Sequence, residues 1–269
     1  MSIQKTIAMF AVLCLIALGL GYWVGQPKQT SRKENGGNPE GKGKVKSEVT
    51  PKESEFLKKG LVAYYPFNGN AKDESGNGHD GDVKGATLAN DRNGNSNSAY
   101  YFDGADDYIN LGNDDDFNFG ESDFSLSLWF QTSVNQPSIY LIGKYYASIG
   151  PAYGVGTGLD TAAYAFVAET SSTITQVQGN VNLANGAWRH MTAVCDRDTK
   201  LTVYVDGLIV NSVDPTSKSG GISSEANLII GAIESGQYFS GKIDDVRIYN
   251  RALSEAEVKA LYEFERVKP

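Results

Sequence analysis

Histidine and cysteine are almost missing from this chain: His79, His190, Cys14 and Cys195 are all that its 269 residues contain. Two histidines leave no His-rich zinc site and no H-E-x-x-H motif, and no G-x-S-x-G elbow is present. Cys14 falls in an apolar segment, so Cys195 has no disulfide partner within a globular domain and stability has to come from the core. Long apolar runs are missing as well, apart from residues 7–25, IAMFAVLCLIALGLGYWVG, which carry no charge. That run is a membrane-targeting segment. Nineteen residues with Tyr22 and Trp23 at the far end suit a single-pass transmembrane anchor, while Ala17-Leu18-Gly19 offers a poor version of a signal-peptidase site, so anchoring is the expectation and cleavage with secretion the alternative. Leu13 ahead of Cys14 excludes a lipoprotein site, which wants a small residue there. Lys28, Arg32 and Lys33 directly after the run work against an outside C-terminus. The domain beyond is nevertheless expected to be extracytoplasmic.

Large apolar residues are scarce from 26 to 59, where Lys, Glu, Gly, Pro and Ser dominate, and such a stretch cannot bury enough surface to offset its ordering entropy. It is expected to be a flexible charged linker. Up to Lys59 there are ten Lys and Arg against five Asp and Glu, a net charge of +5, whereas the rest has 14 against 27, a net of −13. An acidic domain of that kind repels phosphate backbones, so nucleic acid is excluded as a partner and divalent cations become the natural counter-charge.

What is abundant is β-forming sequence. From residue 60 onward, short runs rich in Val, Ile, Tyr, Phe and Thr recur between clusters of Gly, Asn and Asp, the pattern of an all-β sandwich with one domain over 60–269. Strands are expected at 61–67, 99–102, 108–111, 124–131, 139–142, 163–167, 188–195, 201–205, 208–213, 227–231 and 238–249. In 124–131 Phe124, Leu126, Leu128 and Phe130 share one face, which should be core, and Trp129 and Trp188 are read as core too. Asp206-Gly207 between two apolar runs predicts a type I′ hairpin. Asp244-Asp245 interrupts the alternation of the last strand and predicts a β-bulge there. Ser254 and Glu257 form a capping box ahead of Val258, Leu261 and Tyr262, predicting one terminal helix at about 254–264 that packs on the sandwich.

Six segments in order, YYPFNGNAKDESGNGHDG, AYYFDGADDYINLG, FSLSLWFQT, GAWRHMTAV, LTVYVDGLIV and GKIDDVRIYNRALSEAEVKALYE, resemble the concanavalin A-like, laminin G-type (LamG-like jelly-roll) domains of bacterial surface proteins. The likeness covers about 60–263, and its last segment is the most diagnostic. It implies two antiparallel sheets in a jelly roll, often with bound calcium, used to bind glycans or proteins. Because this fold also hosts enzymes, function has to be argued from sites.

For calcium, Asp73-Glu74-Ser75-Gly76-Asn77-Gly78 sets oxygen side chains at alternate positions before a glycine, like the opening of an EF-hand loop. The twelfth position is Lys84 rather than Glu, and no helix flanks it, which excludes an EF-hand. A hard cation can still draw on Asp73, Asn77, carbonyls of that turn and a distant carboxylate, for which Asp244 is the candidate. The resemblance likewise implies calcium joining this early turn to the last strand; the alternative is that Asp73 and Asn77 make Asx turns. Asp107, in the turn 103–108, is either a further ligand or an acceptor for turn amides, the second being the plainer reading. Asp114, Asp115 and Asp116 form a solvated acidic loop.

Aromatic residues in glycine-rich loops suggest a sugar-stacking platform at Tyr145, Tyr146 and Tyr153, with Tyr238 and Phe239 nearby, since sugar C–H faces pack on rings. The competing reading places these tyrosines in strands and core. Catalysis finds no support: the Glu-x-Asp-x-x-Glu acids of sugar-cleaving relatives are incomplete in Glu121-Ser122-Asp123-Phe124-Ser125-Leu126, and no strand carries paired carboxylates. His190 reads as a strand histidine and His79 as a surface residue. The chain is therefore expected to be a non-enzymatic recognition or adhesion module for a glycan or protein ligand. The second reading is a structural cell-envelope protein that binds another envelope protein and no sugar, and a polysaccharide-active enzyme comes third.

Overall fold

Backbone pairing follows the apolar alternation closely. The computed structural model describes residues 55–136, 138–145, 150–170, 173–215, 220–233 and 236–267. All of these belong to one unit, Glu48–Pro269. The apolar segment 7–25 and the linker up to residue 54 lie outside the described residues. Among the described residues no helix is long and apolar enough to cross a membrane.

In chain order the elements are α1 (Glu55–Lys58), β1 (Leu61–Tyr65), β2 (Asp82–Lys84), β3 (Thr87–Ala89), β4 (Ala99–Asp103), β5 (Tyr108–Asn110), β6 (Phe124–Gln131), β7 (Ile139–Lys144) and β8 (Ala152–Thr157). They continue with β9 (Ala162–Thr170), β10 (Thr173–Asn182), β11 (Trp188–Asp196), β12 (Lys200–Val205), β13 (Leu208–Val213), β14 (Leu228–Ile230), β15 (Ala232–Ile233), β16 (Gln237–Tyr238), β17 (Ser240–Tyr249) and α2 (Glu255–Glu265). One large sheet has the order β13-β12-β11-β6-β17-β4-β3, with β1 also paired to β17; the other runs β10-β9-β8-β7-β14-β5-β2, and β15 with β16 forms a separate ribbon. The pairings within these sheets are antiparallel, as expected for a two-sheet sandwich.

The two inner faces meet in one core, where Phe124, Leu126, Leu128 and Phe130 of β6 pack against residues such as Ile142, Val155, Ala165 and Ile230 of the other sheet. The Asp206-Gly207 turn has φ of +51° and +75°, the two positive values a type I′ hairpin requires. The bulge is also present: the β17–β6 register slips between Asp244 and Arg247, and Asp245 sits at φ +45°. Strands β8 and β10 were not expected, because AYGVGT is glycine-rich and TITQVQGNVN is largely polar. Four residues assigned to the linker, Glu55–Lys58, instead form a helical turn whose Leu57 is buried.

Helix α2 starts at the expected capping box, with Ser254 accepting from the Glu257 amide and Glu257 accepting from the Ser254 amide. Its Val258 and Leu261 pack with Leu57, Val194, Tyr204, Tyr249 and Leu253 on the outer face of the eight-stranded sheet. That cover explains why the non-core side of β6 is also buried. Trp129 lies there under the helix rather than in the inter-sheet core, and its ring nitrogen donates to Glu265 at 2.9 Å. Trp188, expected in the core, is only half-buried.

Beneath the end of α2 sits a charged network. Arg92 reaches Asp244 at 2.6 Å and Asp245 at 2.7 Å, donates to the Glu265 carbonyl, and lies 4.5 Å from the centre of the Trp129 ring. Arg247 donates to the Glu265 carboxylate at 2.8 Å. Burial, then Asp245, push the Glu265 carboxyl from 4.5 up to about 7, against the pull of Arg247 and Arg92. Burial, then Arg92, push His190 from 6.5 down to about 3. The raised carboxyl binds its proton more tightly in the folded chain, so its contribution is present below pH 4.5 and fades as pH rises through 7. The depressed imidazole does the opposite, its contribution growing as pH rises from 3 to 6.5. The two slopes oppose each other between pH 4.5 and 6.5, so wild-type stability should be nearly flat there. In Glu265→Gln the unfolding free energy should instead climb by about 1 kcal/mol per pH unit across that window, measured by urea unfolding. A flat profile in the variant would contradict it.

Candidate functional site

Across the seven-stranded sheet, strand pairing aligns two rows of residues. Ile109, Ile230, Ile142, Val155, Ala165 and Val177 are register partners and all face the core. One residue along, Asn110, Ile229, Gly143, Gly154, Phe166 and Gln176 are partners in turn, and by the two-residue period they face outward. The glycines at the centre of this outer row leave room for rings to lie on the sheet. A Cβ on Gly154 would meet the Phe166 ring at 2.9 Å, and one on Gly143 would come within 3.5 Å of the Tyr140 ring.

Tyr140 and Tyr164, both half-buried, form a platform there around Phe166, which is itself 2% exposed. Tyr140 and Phe166 stack at 4.7 Å and 23°, Tyr164 and Phe166 at 5.9 Å and 23°, and Tyr140 and Tyr164 lie within 5° of parallel at 6.4 Å. Tyr145 stands edge-on to them, at 73° to Tyr140 and 78° to Phe166. Ala152 and Ala168 complete this small apolar cluster, separate from the main core. The Tyr164 hydroxyl donates to Gln176 at 3.1 Å, and burial pushes it up to about 12, so it stays protonated as a neutral hydrogen-bonding group. On the same face, Tyr108, Asn110, Asn227, Ile229 and Tyr238 line a pocket of about 350 Å³. Its Ile229 is three strand spacings from Phe166 on the shared row, roughly 14 Å.

Of the four tyrosines expected to bind ligand, Tyr145 belongs to this platform and Tyr238 to the pocket wall. Tyr146 lies outside the described residues. Tyr153 is corrected: it is fully buried, tilted at 51° against both Phe119 and Phe124, with its hydroxyl donating to the Phe117 carbonyl at 2.9 Å. The reason is parity, since β8 puts Tyr153 on the same side as core residue Val155. Phe239 is core as well. The platform's other members were missed, although Tyr164 and Phe166 alternate with alanines in AAYAFVA, a period-two signal for one aromatic face.

The expected calcium ligands are not assembled into one donor set. Asp73 accepts from the amides of Tyr64, Ser75, Gly78 and His79 and from the Ser75 hydroxyl, which lowers its carboxyl despite partial burial. Asn77 donates to the carbonyls of Leu61 and Val62. Asp244 is held by Arg92 and by the Asp245 amide. Asp73 and Asp244 are thus each engaged by separate protein donors in this structure. Asp107 is buried and accepts from the Asp103 amide at 2.8 Å, and it joins Asp103 and Asp106 in a group whose ligand atoms lie within 4.8 Å of one another. Burial, followed by the like charges of Asp103 and Asp106, raises the Asp107 carboxyl against the pull of that amide.

His79 is not a surface residue: it is buried against the Phe117 ring with its Nε2 at 3.2 Å from Asp116. Asp114 caps the short 3₁₀ turn Asp115–Phe117. His190 Nε2 lies 2.8 Å from Ser127 and 3.5 Å from Glu265; because both contacts fall on the same ring nitrogen, the acid cannot orient the imidazole from the far side as a hydrolase triad requires. All three residues are also fully enclosed under α2, and burial holds the imidazole neutral. Burial also pushes the Cys195 thiol up to about 12, which makes it inert.

A family model described as the concanavalin A-like lectin/glucanases superfamily (Laminin_G_3) matches residues 103–259, more than half of the chain. No curated protein matches the sequence at a significant level. Among solved structures, the binding domain of Paraclostridial Mosquitocidal Protein 1 is similar at 22% identity and a TM-score of 0.60, covering 77% of this chain and 52% of that one. Domain 4 of AbnA, a GH43 extracellular arabinanase from Geobacillus stearothermophilus solved with arabinotriose, is similar at 21% identity and a TM-score of 0.60, covering 75% of this chain and 98% of that one. A botulinum neurotoxin serotype D ligand-binding domain solved with N-acetylneuraminic acid aligns at 15% identity and a TM-score of 0.59, covering 79% and 52%. The chain thus spans about half the length of the two toxin domains. At these identities the likeness carries the fold.

Proposed function

The chain belongs to the concanavalin A-like lectin/glucanases superfamily, and from that we propose that it is a non-catalytic recognition module that binds an uncharged glycan on the outer face of its seven-stranded sheet. The observation that carries this reading is the near-parallel set of Tyr140, Tyr164 and Phe166, walled by the edge-on Tyr145. The half-buried rings of Tyr140 and Tyr164, backed by the buried Phe166, are the ones that reach solvent to meet sugar C–H groups, while Gln176, Asn110 and Asn227 along the same face offer amides to hydroxyls. The outer row from Asn110 to Gln176 and the lining of the adjoining pocket are uncharged, and the bordering Asp82 and Lys84 of β2, register partners of Asn110 and Tyr108, pair with each other at 2.8 Å, which favours a neutral ligand. The solved likenesses that are themselves binding domains support recognition over catalysis. The apolar run at 7–25 supports display outside the cytoplasm on a membrane anchor.

The test is an array of neutral oligosaccharides, arabinotriose among them, probed with the full-length protein. Retention of at least one is expected. If none is retained while a pull-down recovers an envelope protein, the protein-binding reading takes over.

Calcium belongs to this proposal at Asp103, Asp106 and Asp107, where carboxylate oxygens converge and a cation would offset their mutual repulsion. Millimolar calcium is expected to raise the melting temperature by a few degrees, and Asp106→Asn to remove that shift, as judged by calorimetry. An equal shift in the variant would place the ion elsewhere, and no shift in wild type would remove it from the proposal.

A further inference from the structure

Among the described residues, the eight-stranded sheet is not covered along its whole length. Helix α2 ends at Glu265 over Trp129, and its Tyr262 ring packs on Trp129 and His190. The next outward-facing row toward the strand ends is set by register: Tyr101 pairs with Lys242, Lys242 with Gln131, and Gln131 with Trp188. Core residues Tyr100, Ile243 and Phe130 precede or follow them in their strands, so this row faces away from the sandwich interior. Tyr101 is 42% exposed and Trp188 half-buried.

A pocket of about 390 Å³ opens at this row, lined by Tyr101, Gln131, Ser133, Ser240, Gly241 and Lys242 among others. Its floor depends on Gly241, at φ +153°, where a Cβ would come within 2.2 Å of the Gln131 carbonyl oxygen. The Gln131 amide nitrogen is fixed by the Gly186 carbonyl at 2.9 Å, which leaves its oxygen as the acceptor to offer. Lys242 makes only a 3.5 Å contact with the Asn90 carbonyl, and no carboxylate among the described residues pairs with it. A domain of net charge −13 thus places an ammonium group in a pocket of mixed polar and apolar lining, flanked by aromatic side chains along the row.

We infer that this pocket is a second ligand site, on the opposite sheet from the platform, and that it takes a saccharide carrying a carboxylate. Lys242 meets the carboxylate, Ser133, Ser240 and Gln131 meet hydroxyls, and Tyr101 packs on the sugar face. A size of a few hundred Å³ suits a mono- or disaccharide unit.

The test is isothermal titration of the full-length protein with digalacturonic acid, its uncharged counterpart galactobiose, and N-acetylneuraminic acid, at low salt. At least one acidic sugar is expected to bind about tenfold more tightly than galactobiose, with Lys242→Gln abolishing that preference and Tyr101→Ala weakening binding of the acid. Both substituted pocket residues reach solvent, and unchanged melting temperatures would confirm that the variants fold. The inference is overturned if neither acid outbinds galactobiose, if Lys242→Gln keeps the preference, or if Tyr101→Ala leaves binding of the acid unchanged. Failure of every neutral glycan on the array leaves this site standing, so the two readings fail separately.

Discussion

Arg92→Met is expected to lower the unfolding free energy by about 3–5 kcal/mol, as measured by urea denaturation of the full-length protein. Arg92 is itself buried, and its guanidinium serves two carboxylates, a helix-end carbonyl and an indole face at once. Replacing a whole buried ion pair with apolar residues is often harmless, but removing one partner leaves buried charge poorly compensated. Asp244 and Asp245 would both lose a contact shorter than 2.8 Å, and α2 would lose the anchor of its last carbonyls. Arg92→Lys should recover little, because an ammonium lacks the planar fork that reaches both carboxylates. A loss below about 1 kcal/mol in Arg92→Met would show that this network contributes little net stability.

The second large effect concerns the platform. Tyr140→Ala and Tyr164→Ala should each weaken binding of whichever neutral glycan the array retains by about tenfold or more, since anchoring aromatic residues carry a disproportionate share of interface energy. Tyr164→Phe keeps the ring and removes only the hydroxyl that donates to Gln176, so it should cost much less. That contrast separates ring stacking from hydrogen bonding. Tyr153→Phe, in the core, should leave affinity unchanged while lowering stability through the lost bond to the Phe117 carbonyl. If Tyr140→Ala and Tyr164→Ala both bind as wild type does, the glycan site is elsewhere.

How much of this was legible in the sequence depended on whether the signal was local. The Asp206-Gly207 hairpin, the Ser254 to Glu257 capping box and the bulge at Asp244-Asp245 depend on neighbours within a few residues, and each occurs where it was expected. The strands β8 and β10 were missed because glycine and glutamine weaken local propensity, and their pairing with β7 and β9 supplies what the sequence lacks. The aromatic site was half legible. Tyr145 and Tyr238 were named, but Tyr153 differs from them only in the parity that β8 imposes, which cannot be known before β8 is recognised. Asp244 was correctly placed in a bulge, yet its partner is Arg92, 152 residues away, and nothing near Asp244 announces it.

The position of Leu57 bears on how the molecule is presented. Helix α1 packs with α2 against the outer side of the eight-stranded sheet, so the polypeptide arrives at the domain's back. Tyr140, Tyr164 and Phe166 occupy the far side, across both sheets and the core between them, a separation of at least about 10 Å. Arg251 fastens that arrival by donating to the carbonyls of Phe56 and Lys59. A pull on the chain at Glu55 would therefore be taken up at the rear of the sandwich, on the opposite sheet from the aromatic rings.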